Sequence, residues 1–195
     1  PKNYSSSADN WLNVSPHYQN NYRTNIGFDI IAEILIKPIN EALGSNIELI
    51  VEPGRSMVSD TAILLSKIEA AKTRQQTPVF YLDAGYSVIF DAFIGWYFHM
   101  VNASKADDTD TQLCRMVGPL CDSSDTFYDI EGEGRVKSLL AAMPELAAQR
   151  DNLEQVLVHQ PSLRELPSKT HIGDVIALLD TGAYGLEMMN QYCGR

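Results

Sequence analysis

Apolar positions are unevenly spread along this chain, and their spacing changes character twice. Residues 1–26 are polar, with Trp11, Tyr18 and Tyr22 as isolated aromatic anchors, and read as a long loop with room for one short helix. Between Ile30 and Leu43 the residues Ile30, Ile31, Ile34, Leu35, Ile39 and Leu43 recur at near-helical spacing, and Gly44 supplies a stop. This predicts an amphipathic helix that Pro38 should bend. Ile47 to Val51 is a short β-branched run ending at Glu52-Pro53-Gly54-Arg55. Helix, glycine, strand and Pro-Gly loop follow the grammar of an α/β unit, whose ligands sit beyond the carboxyl ends of strands. Thr61 to Ala71 suits helix or strand.

After Thr77-Pro78 the texture becomes that of a β domain. Val79–Leu82, Phe93–Val101, Leu113–Val117 and Val175–Leu179 are short apolar runs separated by turn residues. Arg135 to Val158 is rich in Leu, Ala, Glu and Gln and reads as one or two helices broken near Pro144. A division near residue 75 is expected, with an α/β segment before it and a β domain after it. No internal repeat is visible.

Composition narrows the function classes. The chain has 195 residues, 45% hydrophobic and 21% charged, with a formal net charge of −10. A globular chain fits these values, and disorder does not. The acidic balance and the absence of any Lys/Arg run argue against nucleic-acid or anionic-membrane binding. No apolar stretch approaches the roughly 20 residues of a membrane helix. Cys114, Cys121 and Cys193 form no CxxC pair, and His17, His99, His159 and His171 have no ligand spacing, so neither a disulfide scaffold nor a zinc site is indicated. The polar opening Pro1-Lys2-Asn3-Tyr4 is unlike a signal peptide, and a reducing, cytoplasmic compartment is expected. Asp107-Asp108-Thr109-Asp110 lacks the glycine and terminal glutamate of a calcium loop and reads as solvated.

Three constellations could carry chemistry. Glu52-Pro53-Gly54-Arg55-Ser56 holds opposite charges at a strand end, where an anion and a protonated ring nitrogen could both be met. Its plain alternative is a turn with a local Glu–Arg ion pair. Gly118-Pro119-Leu120-Cys121-Asp122-Ser123-Ser124-Asp125 sets a thiol beside carboxylates and hydroxyls; neighbouring carboxylates favour the protonated thiol, which suits an acid. Here the alternative is a capped strand-to-turn connection. Asp180-Thr181-Gly182-Ala183-Tyr184-Gly185 leaves a phenol between two glycines, either to meet a phosphate or simply to pack in a turn.

Glu-Pro-Gly-Arg, then Asp83-Ala84-Gly85, then Gly-Pro-Leu-Cys-Asp-Ser-Ser-Asp, then Gly-Ala-Tyr-Gly, in that order, resembles one family. It is similar to the pyridoxal-phosphate-dependent ornithine/diaminopimelate/arginine decarboxylases of the alanine-racemase-like fold, from about Ile47 to Tyr192. The resemblance implies a mixed α+β chain. Residues 1–75 would be the end of a cofactor-holding, TIM-like α/β barrel, and residues 76–195 a C-terminal β-barrel domain with a helical insertion at about 135–160. It also implies a head-to-tail homodimer with shared active sites. By position, Glu52 would pair with the pyridine nitrogen of pyridoxal 5'-phosphate, while Gly54, Arg55 and Tyr184 would border its phosphate. Cys121, reaching across the dimer, would reprotonate the product carbon, and Asp122 would meet the distal amine of an amino-acid substrate.

The departures matter too. The lysine of the internal Schiff base and the glycine-rich phosphate loop that the resemblance expects are not among these residues. Lys67 and Lys72 are poor substitutes, so a carboxyl-terminal portion, inactive alone, is expected. Asp91 stands where diaminopimelate enzymes carry an arginine for a substrate carboxylate; it is expected to face an amine or hydroxyl, or else to be a surface aspartate. The acid of ornithine-type enzymes would fall near Trp96. A polyamine precursor or a larger conjugate, such as a siderophore intermediate, stays open as substrate. A non-catalytic homologue acting as a binding partner is the alternative, weakened by the retention of Cys121 with Asp122; a racemase is a third.

Overall fold

The computed structural model describes residues 28–44 and 46–194, so the loop expected over residues 1–26 lies outside them. The first described element is one continuous helical run. Helix α1 (Phe28–Ile31) passes through a π-helical turn (Ala32–Ile36) into α2 (Lys37–Leu43), and Gly44 ends it at φ 88°. Pro38 sits in the first turn of α2 and lacks an N–H, and the ladder widens just before it. The apolar stripe is as expected, but it stays uncovered: Ile34 and Leu43 are more than 60% exposed.

Ile47–Val51 is not a strand. A strand requires a neighbour for its backbone groups, and none of the described residues pairs with this run, whose Ile50 and Val51 are largely exposed. The chain then turns through α3 (Arg55–Val58) into the sheet.

Six strands form that sheet: β1 (Leu64–Arg74), β2 (Thr77–Leu82), β3 (Met100–Asn102), β4 (Thr111–Val117), β5 (Arg164–Pro167) and β6 (Val175–Leu178). Their order is β3-β6-β1-β2-β4-β5, antiparallel except for β2 beside β4. The edge strands β3 and β5 approach each other, so the sheet curls into a nearly closed mixed barrel. Thr61–Ala71, ambiguous by pattern, is mostly β1, because alternate residues such as Ser66 and Ile68 turn into the barrel. The β1–β2 turn at Gln75 and Gln76 has φ of 50° and 66°, the hand that matches strand twist in a two-residue hairpin. The expected division at residue 75 therefore falls inside a hairpin whose two strands share one sheet.

Phe93–Val101 yields a strand only from Met100; Phe93 and Trp96 pack on the core from a turn, and Tyr97 and Phe98 are buried. The core gathers Ile68, Phe80, Leu82, Met116, Leu166 and Leu178, each nearly inaccessible and worth about 1.5–3 kcal/mol by burial. Buried Arg164 closes the gap between edge strands by donating to the carbonyls of Phe127 (3.0 Å) and Phe98 (3.4 Å) and to Gln160 Oε1 (2.9 Å).

Between β4 and β5 lies the helical insertion, α4 (Ile130–Ala142), a 3-10 segment (Pro144–Gln149) and α5 (Arg150–Leu157). Pro144 breaks it as expected, though it begins five residues earlier than the Leu/Ala-rich stretch. Asp129 caps α4 through Gly132 N–H (2.7 Å), and its other oxygen accepts from His159 N–H (2.9 Å), so one carboxylate ties both ends. Among the described residues no helix is long and apolar enough to cross a membrane.

Candidate active site

The four motifs come together as two pairs. The first joins Glu-Pro-Gly-Arg to Gly-Ala-Tyr-Gly. Gly182 lets the two backbones touch: its N–H bonds Ser59 O at 2.9 Å and Thr181 N–H bonds Ala62 O at 3.1 Å, and a Cβ on Gly182 would run into Val58 O. Gly54 precedes α3 at φ 54°, ψ −125°, a conformation reserved for glycine, and a side chain there would meet Tyr184 Oη at 3.4 Å.

Arg55 is thereby carried to Tyr184. Its Cζ lies 4.8 Å from that ring's centroid and 3.8 Å from the ring of Trp96, and its Nη1 reaches toward Ala183 O at 3.5 Å. Asp91 Oδ2 stands 2.5 Å from Arg55 Nη2, with side-chain exposures of 4% and 19%. Asp91 thus does not lie on the surface; it is turned inward because its 3-10 turn (Phe90–Ala92) packs beneath Arg55. The local Glu52–Arg55 pair is replaced by this long-range one. Glu52 itself is exposed on the loop, and Tyr184, at φ 61°, is half-exposed.

The second pair joins Asp83-Ala84-Gly85 to Gly-Pro-Leu-Cys-Asp-Ser-Ser-Asp. Buried Asp125 is the joint: Oδ1 accepts from Tyr86 N–H (2.8 Å) and Oδ2 from Leu120 N–H (2.7 Å), while its carbonyl accepts from Gly118 N–H (2.8 Å). The carboxylate fills the space where side chains on Gly85 and Gly118 would be, which explains both glycines.

On this loop Cys121 is exposed and Asp122 half-buried. Asp122 Oδ1 accepts from the Ser124 hydroxyl (2.5 Å) and N–H (2.7 Å), and Oδ2 from the Tyr192 phenol (2.7 Å). The Ser124 hydroxyl first, then Tyr192 and the Ser124 N–H, pull the Asp122 carboxyl down to about 2, and Asp122 in turn pushes the Tyr192 phenol up to about 12. Tyr192 leans on Tyr86 (5.1 Å between centroids), and these rings with Phe90, Met188 and Asn190 line a shallow apolar hollow. By contrast, burial pushes the Cys114 thiol to about 12 and removes it from chemistry.

Residues 86–96 link the pairs, with Tyr86 at one end against Tyr192 and Asp91 further along against Arg55. Asp91, Trp96, Asp125 and Tyr192 brace the two pairs of motifs. Their contacts bridge long sequence separations that spacing does not reveal.

Known proteins resemble the chain over most of its length. A family model described as pyridoxal-dependent decarboxylase, C-terminal sheet domain, matches residues 16–143. The diaminopimelate decarboxylase of Archaeoglobus fulgidus is 32% identical over 154 residues, covering 78% of this chain and 28% of the relative. That of Buchnera aphidicola from Acyrthosiphon pisum is 30% identical, covering 82% and 33%. The chain thus spans about a third of the length of these curated relatives. Among solved structures, a diaminopimelate decarboxylase from M. jannaschii superposes with TM-score 0.62 at 26% identity, over 90% of this chain and 33% of that one.

Proposed function

Because the chain belongs to the pyridoxal-dependent decarboxylase family by its C-terminal sheet domain, we propose that it forms the carboxyl-terminal part of an amino-acid decarboxylase. The observation that carries this reading is the meeting of Gly54, Arg55 and Tyr184 in one cluster, with Cys121 and Asp122 presented on a second, braced loop.

The residues present suit pyridoxal 5'-phosphate. Gly54 keeps its loop free of a side chain beside Tyr184 Oη, and Arg55 retains N–H donors beyond those facing Asp91 and Ala183. A guanidinium, a phenol and an open glycine backbone are a donor set for a phosphate. In this reading Gly54, Arg55 and Tyr184 hold the phosphate and Glu52 keeps the ring nitrogen protonated. When bound, the cofactor supplies an electron sink for the carbanion left as CO2 departs.

The chain's own groups perform the rest. Cys121 Sγ, exposed beside Asp122, delivers a proton to the product carbon; Asp122 orients the substrate by its distal amine. Serving a neighbouring subunit's cofactor, the Cys121 loop would make a head-to-tail homodimer the active form.

The test uses the full-length enzyme with pyridoxal phosphate and a panel of basic amino acids. CO2 release with one solvent-derived hydrogen in the product is expected, and Cys121→Ala should slow product formation by at least tenfold while leaving the cofactor absorbance in place. No CO2 from any amino acid would leave the non-catalytic partner as the reading to pursue.

A further inference from the structure

Arg55 is held by an unusually complete set of neighbours, and Asp91 is the one that alters its charge. The guanidinium stacks on Trp96 and Tyr184, and the Asp91 carboxylate sits beside one nitrogen. Asp91 Oδ2 is buried and accepts no aligned hydrogen bond, so the pair is held by charge. Its turn is fastened from behind, where Trp96 N–H bonds Asp91 O at 3.1 Å and Gln160 donates to Ala92 O. Neither side chain can swing away without stranding the other in a poorly hydrated place.

We propose that Asp91 is the selectivity residue of this site: it locks the Arg55 guanidinium between Trp96 and Tyr184 and cancels its charge, so that the site accepts one phosphate but rejects substrates carrying a second, distal carboxylate. This rests on the reading above and narrows its substrate class to amino acids with a neutral or cationic distal end. A lone arginine would welcome any further anion. Here the positive charge is already matched by Asp91, and a bound phosphate makes the cluster net negative. A second carboxylate would then meet repulsion, and the Trp96 and Tyr184 rings offer it no donor apart from the Tyr184 phenol. Asp122, ionised on the other loop, adds to the same preference.

Full-length enzyme, wild type and Asp91→Asn, decides this in two measurements. Glutarate is titrated into the cofactor-loaded protein and followed by calorimetry; glutaramide is the uncharged control. Wild type should bind glutarate no more tightly than glutaramide, and Asp91→Asn should gain at least tenfold for glutarate and less than twofold for glutaramide. Asp91→Glu should behave as wild type. In turnover, Asp91→Asn should raise kcat/KM for a dicarboxylic amino acid relative to a basic one by at least tenfold.

Glutarate affinity unchanged within twofold in Asp91→Asn overturns the proposal. Should that variant not fold, wild type decides alone, and tenfold tighter binding of glutarate than glutaramide overturns it. If no amino acid is turned over yet the glutarate shift appears, the decarboxylase reading has failed and the role of Asp91 stands.

Discussion

The phenol of Tyr192 donates to Asp122 Oδ2 at 2.7 Å, joining the candidate substrate acid to the last turn of the described chain across 70 positions. With Ser124 filling the other oxygen, the carboxylate is both ionised and aimed.

Tyr192→Phe should therefore separate aim from charge. The ring keeps its contact with Tyr86, while Asp122 loses one of its donors. Its pKa should rise from about 2 toward the ordinary carboxylate value but stop short, because the Ser124 hydroxyl is the larger cause. Asp122 then stays ionised above pH 5 in both proteins. Any change near pH 8 is thus one of orientation: KM for a basic amino acid should rise about threefold or more, with kcat little changed, and a carboxyl NMR titration should show the shifted Asp122. A KM that does not move would mean that Ser124 alone aims the acid.

Asp125 should matter to stability as much as to the site. Asp125→Ala strands the part-buried N–H groups of Tyr86 and Leu120, a loss of about 3 kcal/mol if each orphaned donor costs 1–3 kcal/mol and water reaches one of them. Gly118→Ala should cost about as much by a different route, since its methyl group would occupy the position of the carboxylate and push it off both donors. The two changes act on one joint, so the double variant should lose clearly less than the sum of the singles. Urea unfolding of the four proteins measures this, and additive losses would show that the glycine and the acid act independently.

The sequence was informative where backbone chemistry is local, and silent where partners are distant. Pro53-Gly54, Asp83-Ala84-Gly85 and Gly182-Ala183-Tyr184-Gly185 are loops in sequence and structure alike, because clustered glycine and proline favour turns locally. The break at Pro144 and the stop at Gly44 follow for the same reason. Two of the four residues of β5, Arg164 and Glu165, are charged, so the strand hides from any hydrophobic pattern; the carbonyls of Phe98 and Phe127 together with Gln160 Oε1 make a buried Arg164 tolerable. The run Ile47–Val51 errs the other way, since its composition favours a strand that the described residues leave unpaired. Asp91 reads as a polar group awaiting a ligand until Arg55 is seen to lie against it.

His99 should make the fold sensitive to acid. Burial first, and then the nearby Arg164 charge, lower its pKa from 6.5 to about 3, so the folded chain keeps it neutral where the unfolded chain does not. Above pH 6.5 the imidazole is neutral in both states and nothing is lost. Between pH 6.5 and pH 3 the unfolded state takes up a proton that the folded state refuses, and stability falls by about 1.4 kcal/mol per pH unit from this group. At pH 5 the loss is about 2 kcal/mol. His99→Gln has no proton to take up, so its stability should drop by about 2 kcal/mol less than wild type between pH 7.5 and pH 5. Carboxylates such as Asp174, lowered in pKa in both proteins, cancel from that difference. Urea unfolding at the two pH values measures it. Equal drops in the two proteins would mean that His99 takes up its proton in the folded state, beside Arg164, and that the acid sensitivity arises elsewhere.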